Sequence, residues 1–344
     1  DLRSPTLAQR SRCFVGGSEA LYMSTENLYL ATTRWAYLAD AGGLVYPQKI
    51  QTDIHKFSLS GGVSYRASGQ VEGHLGWDRE RKSYRLGESQ GDLRVLSYTG
   101  ESGWGAVPEA GRAPSPARLT VLRERPGEAL LQTVATLPNA ARPAPLGKPG
   151  EQVFAVRFVG DRGFVVTFRR TDPLYVLDLS DPADPRVTGE LEVAGFSEML
   201  VPLANGLLLG VGRDADALGR ATGLKVALFD VADPAQPRQR ASLSLGAAGS
   251  MSALDGSRHG LNLMAVGDTV RIALPANLSA SDYQDWRHGL QRLEVDTAAR
   301  TLRDLGLLGA TVGAGYLPIS LERSVQIGDW VYHLREGQLA SHAW

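Results

Sequence analysis

Cys13 is the only cysteine among 344 residues, so no disulfide can close within the chain. Its bland reading is a small buried side chain; the sharper one is a disulfide to upstream sequence or to another chain. No window approaches the ~20 apolar residues that span a bilayer, and no signal-peptide pattern is present. Charge of one sign is lacking as well. Lys and Arg total 36 against 37 Asp and Glu, a net charge of −1, without the basic excess that drives binding to nucleic acid or anionic lipid. None of the six histidines stands in an H-x-x-x-H or H-E-x-x-H spacing, so zinc has no local support. Gly249-Ser250-Met251-Ser252-Ala253 does not make a G-x-S-x-G elbow. The glycines from Gly309 to Gly315 lack the Lys-Ser/Thr ending of a phosphate loop. The chain opens on Asp1-Leu2-Arg3-Ser4 without a methionine, which reads as a processed precursor or as absent upstream sequence.

What is present is strand and turn. Glycine is abundant at 39 and 43% of the residues are hydrophobic, enough for a large core divided among many short strands. One segment repeats. Pro173 to Pro185 and Lys225 to Pro237 are each an apolar strand ending in Asp-Pro turns, and 52 positions separate Asp178 from Asp230 and Asp181 from Asp233. A period of this size in all-β sequence points to propeller blades. Strand-like runs divide into blades at about 27–75, 84–138, 152–195, 198–246 and 252–308. A closing blade is expected from 320–344 plus 12–24, because pairing an early strand with late ones would remove exposed edges. The fold class expected is therefore an all-β propeller of four-stranded antiparallel blades, five to six in one domain over 1–344, with more if upstream sequence supplies them.

Several stretches carry a family likeness. They are Leu28 to Trp35, Ile54 to Phe57, Gln152 to Pro185, Gly210 to Asp216 and Gly223 to Pro237. In these the chain resembles bacterial and archaeal secreted proteins with a C-terminal β-propeller domain, distantly related to WD40 repeats. The resemblance implies an extracytoplasmic protein (periplasmic, secreted or at the cell surface) with further N-terminal sequence. It implies no catalytic residues.

Candidate sites are few. Asp at a turn start accepts a backbone N–H two residues on, and Pro presets the next φ, so Asp178, Asp181, Asp184, Asp230 and Asp233 read as structural. Asp214 and Asp216, two residues apart in a loop with Gly219, are weak calcium candidates; Leu218 replaces a ligand and Lys225 stands where the closing Glu belongs. Arg213 and Arg220 could pair with these carboxylates instead. Arg34, Trp35, His55, His259 and His288 are candidates for a ligand face, with Arg258-His259 and Arg287-His288 as a cationic patch if their loops share a face. The loops at 36–51, 104–116 and 214–222 are long enough to shape that face. No cofactor is firmly implied; calcium at Asp214 and Asp216 is the one candidate.

The reading is a non-catalytic extracytoplasmic binding or scaffold module. Its partner would be a protein or its own upstream segment, with no nucleic acid and no membrane span. The alternative is a hydrolase or metal-dependent enzyme whose site is assembled from loops at the propeller channel, since fold does not decide function.

Overall fold

Within each sheet strands pair in sequence order, save that the first two of the fifth sheet share one neighbour. The computed structural model describes residues 13, 16–39, 45–100, 115–168, 172–216, 218–281, 283–313 and 319–344. The first sheet holds β1 (Ala20–Met23), β2 (Asn27–Ala39), β3 (Val45–Ser58) and β4 (Ser64–Glu72). The second holds β5 (Leu86–Ser89), β6 (Asp92–Tyr98), β7 (Ala117–Glu124) and β8 (Leu131–Leu137). The third holds β9 (Gln152–Val159), β10 (Arg162–Phe168), β11 (Asp172–Asp178) and β12 (Arg186–Val193). The fourth holds β13 (Phe196–Leu203), β14 (Leu207–Ala215), β15 (Ala221–Asp230) and β16 (Arg238–Leu245). In the fifth, β17 (Met251–Ser252) and β18 (Asn262–Val266) share one edge of β19 (Thr269–Ser281), followed by β20 (Gln284–Asp296) and β21 (Thr301–Gly313). The last sheet has β22 (Arg323–Ile327), β23 (Trp330–Arg335) and β24 (Gln338–Ala343). The expected fold class, an all-β propeller of antiparallel blades, is the one found.

The core lies in the seams between neighbouring sheets. Side chains alternate across a strand, so one strand feeds two seams. On β14, Leu207, Leu209 and Val211 pack toward the fifth sheet, while Leu208 packs toward the third. On β11, Tyr175 and Leu177 face the second sheet, and Leu174 and Val176 face the fourth. Burial on both faces explains why these strands read as unbroken apolar runs rather than alternating ones. The seam between fifth and last sheets is thinner, with Ala273, Leu290 and Val331 at its centre.

The Asp turns do the structural work expected of them. Asp178, Asp181, Asp230 and Asp233 each accept the N–H two residues on, from Ser180, Ala183, Ala232 and Ala235. Asp184 takes a different partner, the Arg142 guanidinium. Asp230 also binds Arg240 of its own sheet and Arg300 of the fifth, which staples two blades together.

Three expectations need correction. Residues 20–23 do not complete the last blade: they pair with β2 in the first sheet, Ala20 opposite Ala31 and Met23 opposite Leu28. A turn of three residues closes that hairpin, and short loop closure costs far less entropy than pairing the two ends of the chain. The 36–51 segment is largely strand, because β2 and β3 extend to Ala39 and from Val45. Cys13 is free and exposed rather than buried. Residues 101–114, most of the 104–116 loop, lie outside the described residues. No helix among the described residues is long and apolar enough to cross a membrane.

Candidate functional site

In a four-stranded meander the link from one sheet to the next opens on the same face as the turn after the second strand. The link from the first sheet to the second, residues 73–85, does not stay at its own seam. Lys82 Nζ reaches Glu19 before β1 at 2.7 Å. Arg85 Nη2 donates to the Val153 carbonyl of the third sheet at 2.7 Å. Arg81 Nη2 lies 3.5 Å from Glu198 on β13 and donates to the Leu254 carbonyl beyond β17 at 3.3 Å. The link thus touches four other parts of the ring.

A charge network forms where it crosses. Arg81 pairs with Asp78 at 3.0 Å and with Glu198. Arg213 lies 3.9 Å from Glu198 and also binds Asp255 and the Ser250 carbonyl. Asp255 in turn accepts the Ser252 N–H at 2.8 Å. Burial holds the Glu198 carboxyl above its ordinary range, against the pull of Arg81 and Arg213. Two guanidiniums and three carboxylates therefore brace the link against the fourth and fifth sheets.

Beside this brace sits an aromatic cluster. Trp35 of β2 stacks on Trp77 of the link, ring centroids 5.7 Å apart and 18° from parallel. His74 packs against Trp77 at 4.8 Å and Tyr98 at 5.1 Å. Trp77 is 66% exposed, whereas His74 is buried. His74 Nδ1 accepts the Gly76 N–H at 3.0 Å. Burial, with the charges of Arg85 and Lys82, pushes the imidazole down to about 4. The ring is neutral at pH 7 and carries its proton on Nε2, which is buried and has no acceptor among the described residues. Arg85 is buried too and held down to about 10, and its Nη1 also has no acceptor among the described residues. Gly76 is needed here: its φ is +81° and a Cβ would lie 2.8 Å from the Arg85 guanidinium. The cluster therefore combines a flat, solvent-facing aromatic surface with two buried donors that lack partners.

The depressed imidazole makes stability depend on pH. Its value falls from 6.5 to about 4 on folding, so between those limits the unfolded chain holds a proton that the folded chain does not. Stability then rises with pH across that window, by about 3 kcal/mol in total. Urea unfolding from pH 4 to 7.5 checks this: His74→Asn, which keeps an acceptor for Gly76 and cannot titrate, should show a shallower dependence. Equal slopes would show that His74 does not titrate as described.

The residues singled out in the sequence are scattered. Trp35 joins the cluster, but Arg34, on the other face of β2, pairs with Asp53 and Gln70. His55 hydrogen-bonds Ser68 within the first sheet at 2.6 Å. His259 is exposed, 3.5 Å from the Nε of its neighbour Arg258. His288 is buried in the fifth sheet against Asn277 at 2.7 Å, so the paired Arg-His turns do not form a surface patch. Asp216 accepts the N–H groups of Leu218 and Arg220 and the Arg220 guanidinium, which together hold its carboxyl below the usual range. Asp214 accepts the Ala215 N–H. Among the described residues no group of three or more metal-ligating side chains is found. Sequence reading passed over Arg81, Arg85, Glu198 and Asp255; it noted Trp77 only as a loop aromatic and Arg213 only as an alternative partner for Asp214 and Asp216, and it gave His74 no role. The one available signal was the charge-dense run Asp78 to Lys82 in a segment too long for a simple turn.

Comparison with known proteins adds the following. A family model described as "Beta propeller domain" matches residues 1–344. The chain is similar to an uncharacterised protein of Methanocaldococcus jannaschii, 43% identical over 90 residues, covering 26% of this chain and 14% of that one. A second, from Archaeoglobus fulgidus, is 46% identical over 90 residues with the same shares. The chain thus spans only 14% of the length of each relative. Among solved structures it is similar to Sqt1 of Saccharomyces cerevisiae, with 11% identity, a TM-score of 0.35, and 85% and 81% of the two chains covered. A europium-containing methanol dehydrogenase matches with 10% identity and a TM-score of 0.43, over 85% and 52%. Neither of these two likenesses bears on function.

Proposed function

We propose, from the premise that this chain belongs to the β-propeller domain family, that it is a non-catalytic binding module working outside the cytoplasm. The observation that supports this reading best is the exposed Trp77, stacked on Trp35 over the buried donors of His74 and Arg85. An aromatic face gives contact area at little cost in side-chain entropy. A carbonyl or carboxylate on the partner would supply an acceptor that these donors lack among the described residues. A protein segment carrying an aromatic or proline side chain beside an acceptor fits both features. The extracytoplasmic setting follows the family likeness. Antibody labelling of intact and lysed source cells tests it, and labelling only after lysis would place the protein inside.

The test of binding is selection from a displayed peptide library against the wild-type protein and Trp77→Ala. Wild type is expected to enrich peptides with an aromatic residue near an acidic one, and the variant to lose that enrichment. Identical enrichment by both would remove this surface from consideration.

The hydrolase alternative has one observation in its favour. Glu198 and Asp255 approach the same Arg213, with the Glu198 carboxyl raised by burial, which is the division of roles an acid–base pair uses. Turnover of ester, glycoside or phosphate reporters by wild type, abolished in Glu198→Gln, would favour this reading over the binding module.

A further inference from the structure

At the other end of β9, a cavity of about 470 Å³ opens between the first, second and third sheets. Arg94 of β6, Arg157 of β9 and Arg258 of the turn between β17 and β18 all line it. Residues far apart in sequence thus bring three guanidiniums to one hollow. None of them has an ion pair among the described residues. Arg94 donates to the carbonyls of Gly87 and Gly160, at 3.1 and 2.6 Å. Arg258 donates to Ser83 Oγ at 2.7 Å. Among the described residues the Arg157 side chain makes no hydrogen bond, and its Nε is buried without an acceptor. The cations are held in place by aromatic faces: Arg157 lies 4.9 Å and Arg258 5.9 Å from the Tyr84 ring centre, and Arg94 lies 5.3 Å from that of Phe158.

One carboxylate, Glu88, lines the same cavity, and it is engaged elsewhere. Asn27 and Tyr29 donate to it at 2.6 and 2.9 Å, Ser24 also donates, and Lys56 lies 4.0 Å away. The hollow therefore carries excess positive charge. Water filling it can hydrate a guanidinium but cannot neutralise it. Leu21 and Met23 on β1, 53% and 61% exposed, add apolar wall. The volume is several times that of a bare oxyanion, which leaves room for an apolar body behind the charged end.

We infer that this cavity binds a small organic oxyanion, its phosphate or paired carboxylates held by Arg94, Arg157 and Arg258 and its apolar body against Leu21 and Met23. Arginine suits this task because its planar fork matches carboxylate and phosphate oxygens two at a time. Arg157 is the residue whose donors are least engaged, so it should contribute most to affinity and least to the fold. The cavity takes Ser83 and Tyr84 from the link that carries Trp77, but Trp35, His74 and Trp77 do not line it, so the two proposals are tested separately.

The test is calorimetric titration of the protein with phenyl phosphate, phthalate, inorganic sulfate and neutral benzyl alcohol at low ionic strength, together with thermal melts. Phenyl phosphate, phthalate or both should bind wild type more tightly than sulfate, with no binding of benzyl alcohol. Preference for phenyl phosphate would identify a phosphate ligand, and preference for phthalate a dicarboxylate; either supports the site. Arg157→Ala should weaken binding at least tenfold while melting no lower than wild type in the absence of ligand. Should that variant fail to fold, Arg157→Lys decides: it keeps the charge, loses the fork, and should bind severalfold more weakly. Absence of binding by both organic anions at about 10 mM, or equal affinity in the Arg157 variants, would overturn the inference.

Discussion

Gly73→Ala is expected to unfold the protein or to cost about 4 kcal/mol or more. Two independent penalties coincide. The backbone at Gly73 has φ +84°, in the left-handed region that L side chains resist. A Cβ there would lie 2.1 Å from the Tyr98 carbonyl oxygen and 2.9 Å from Thr99 Cγ2. Neither side can give way easily. The Gly73 N–H donates to the Ile50 carbonyl at 2.8 Å, and its own carbonyl accepts Thr52 Oγ1 at 2.8 Å. Tyr98 is fixed by reciprocal backbone bonds with His74. Gly91→Ala separates the two penalties, because Gly91 has φ +85° and nothing within 4 Å of the added carbon. It should cost only about 1–2 kcal/mol. Denaturant unfolding of both variants checks this. Equal losses would mean that the link at 73 shifts to accommodate the methyl group.

Arg213→Ala should cost about 3–5 kcal/mol, and Glu198→Gln under about 1 kcal/mol, although the two residues belong to one network. Removing Arg213 leaves Asp255 without its guanidinium and Glu198 facing Arg81 alone. An uncompensated carboxylate in a largely desolvated place is costly. Neutralising Glu198 leaves two matched pairs, Arg81 with Asp78 and Arg213 with Asp255. Its carboxyl is already inclined toward the neutral form by burial, so little charge stabilisation is lost. Urea unfolding at pH 7 measures both. A loss below about 1 kcal/mol for Arg213→Ala would show that water solvates the brace as well as the guanidinium does.

The strand pattern was legible because it is local. Leu174 to Leu179 and Val226 to Val231 are apolar on both faces, and each is followed by an Asp-Pro turn whose hydrogen bonds close within a few residues. Such signals need no knowledge of the rest of the chain. The site was not legible for the converse reason. Trp35 and Trp77 are far apart in sequence and meet only because the link after β4 folds back beside β2. His55 and His288 stand out in sequence by residue type, yet each hydrogen-bonds within its own sheet, to Ser68 and Asn277. The placement of residues 20–23 failed because two pairings were compatible with the same alternating strand, and loop length favoured the nearer.

By itself, then, the sequence determined blade size, blade order and the turn chemistry, since side-chain alternation and Asp-Pro geometry are properties of a few neighbouring residues. Only the tertiary structure decided that residues 73–85 leave their seam to bind Val153, Glu198 and Leu254. It alone decided, too, that Arg94, Arg157 and Arg258 share one hollow. Those arrangements depend on how the sheets turn about a common axis, and that rotation brings together groups which no sequence spacing relates.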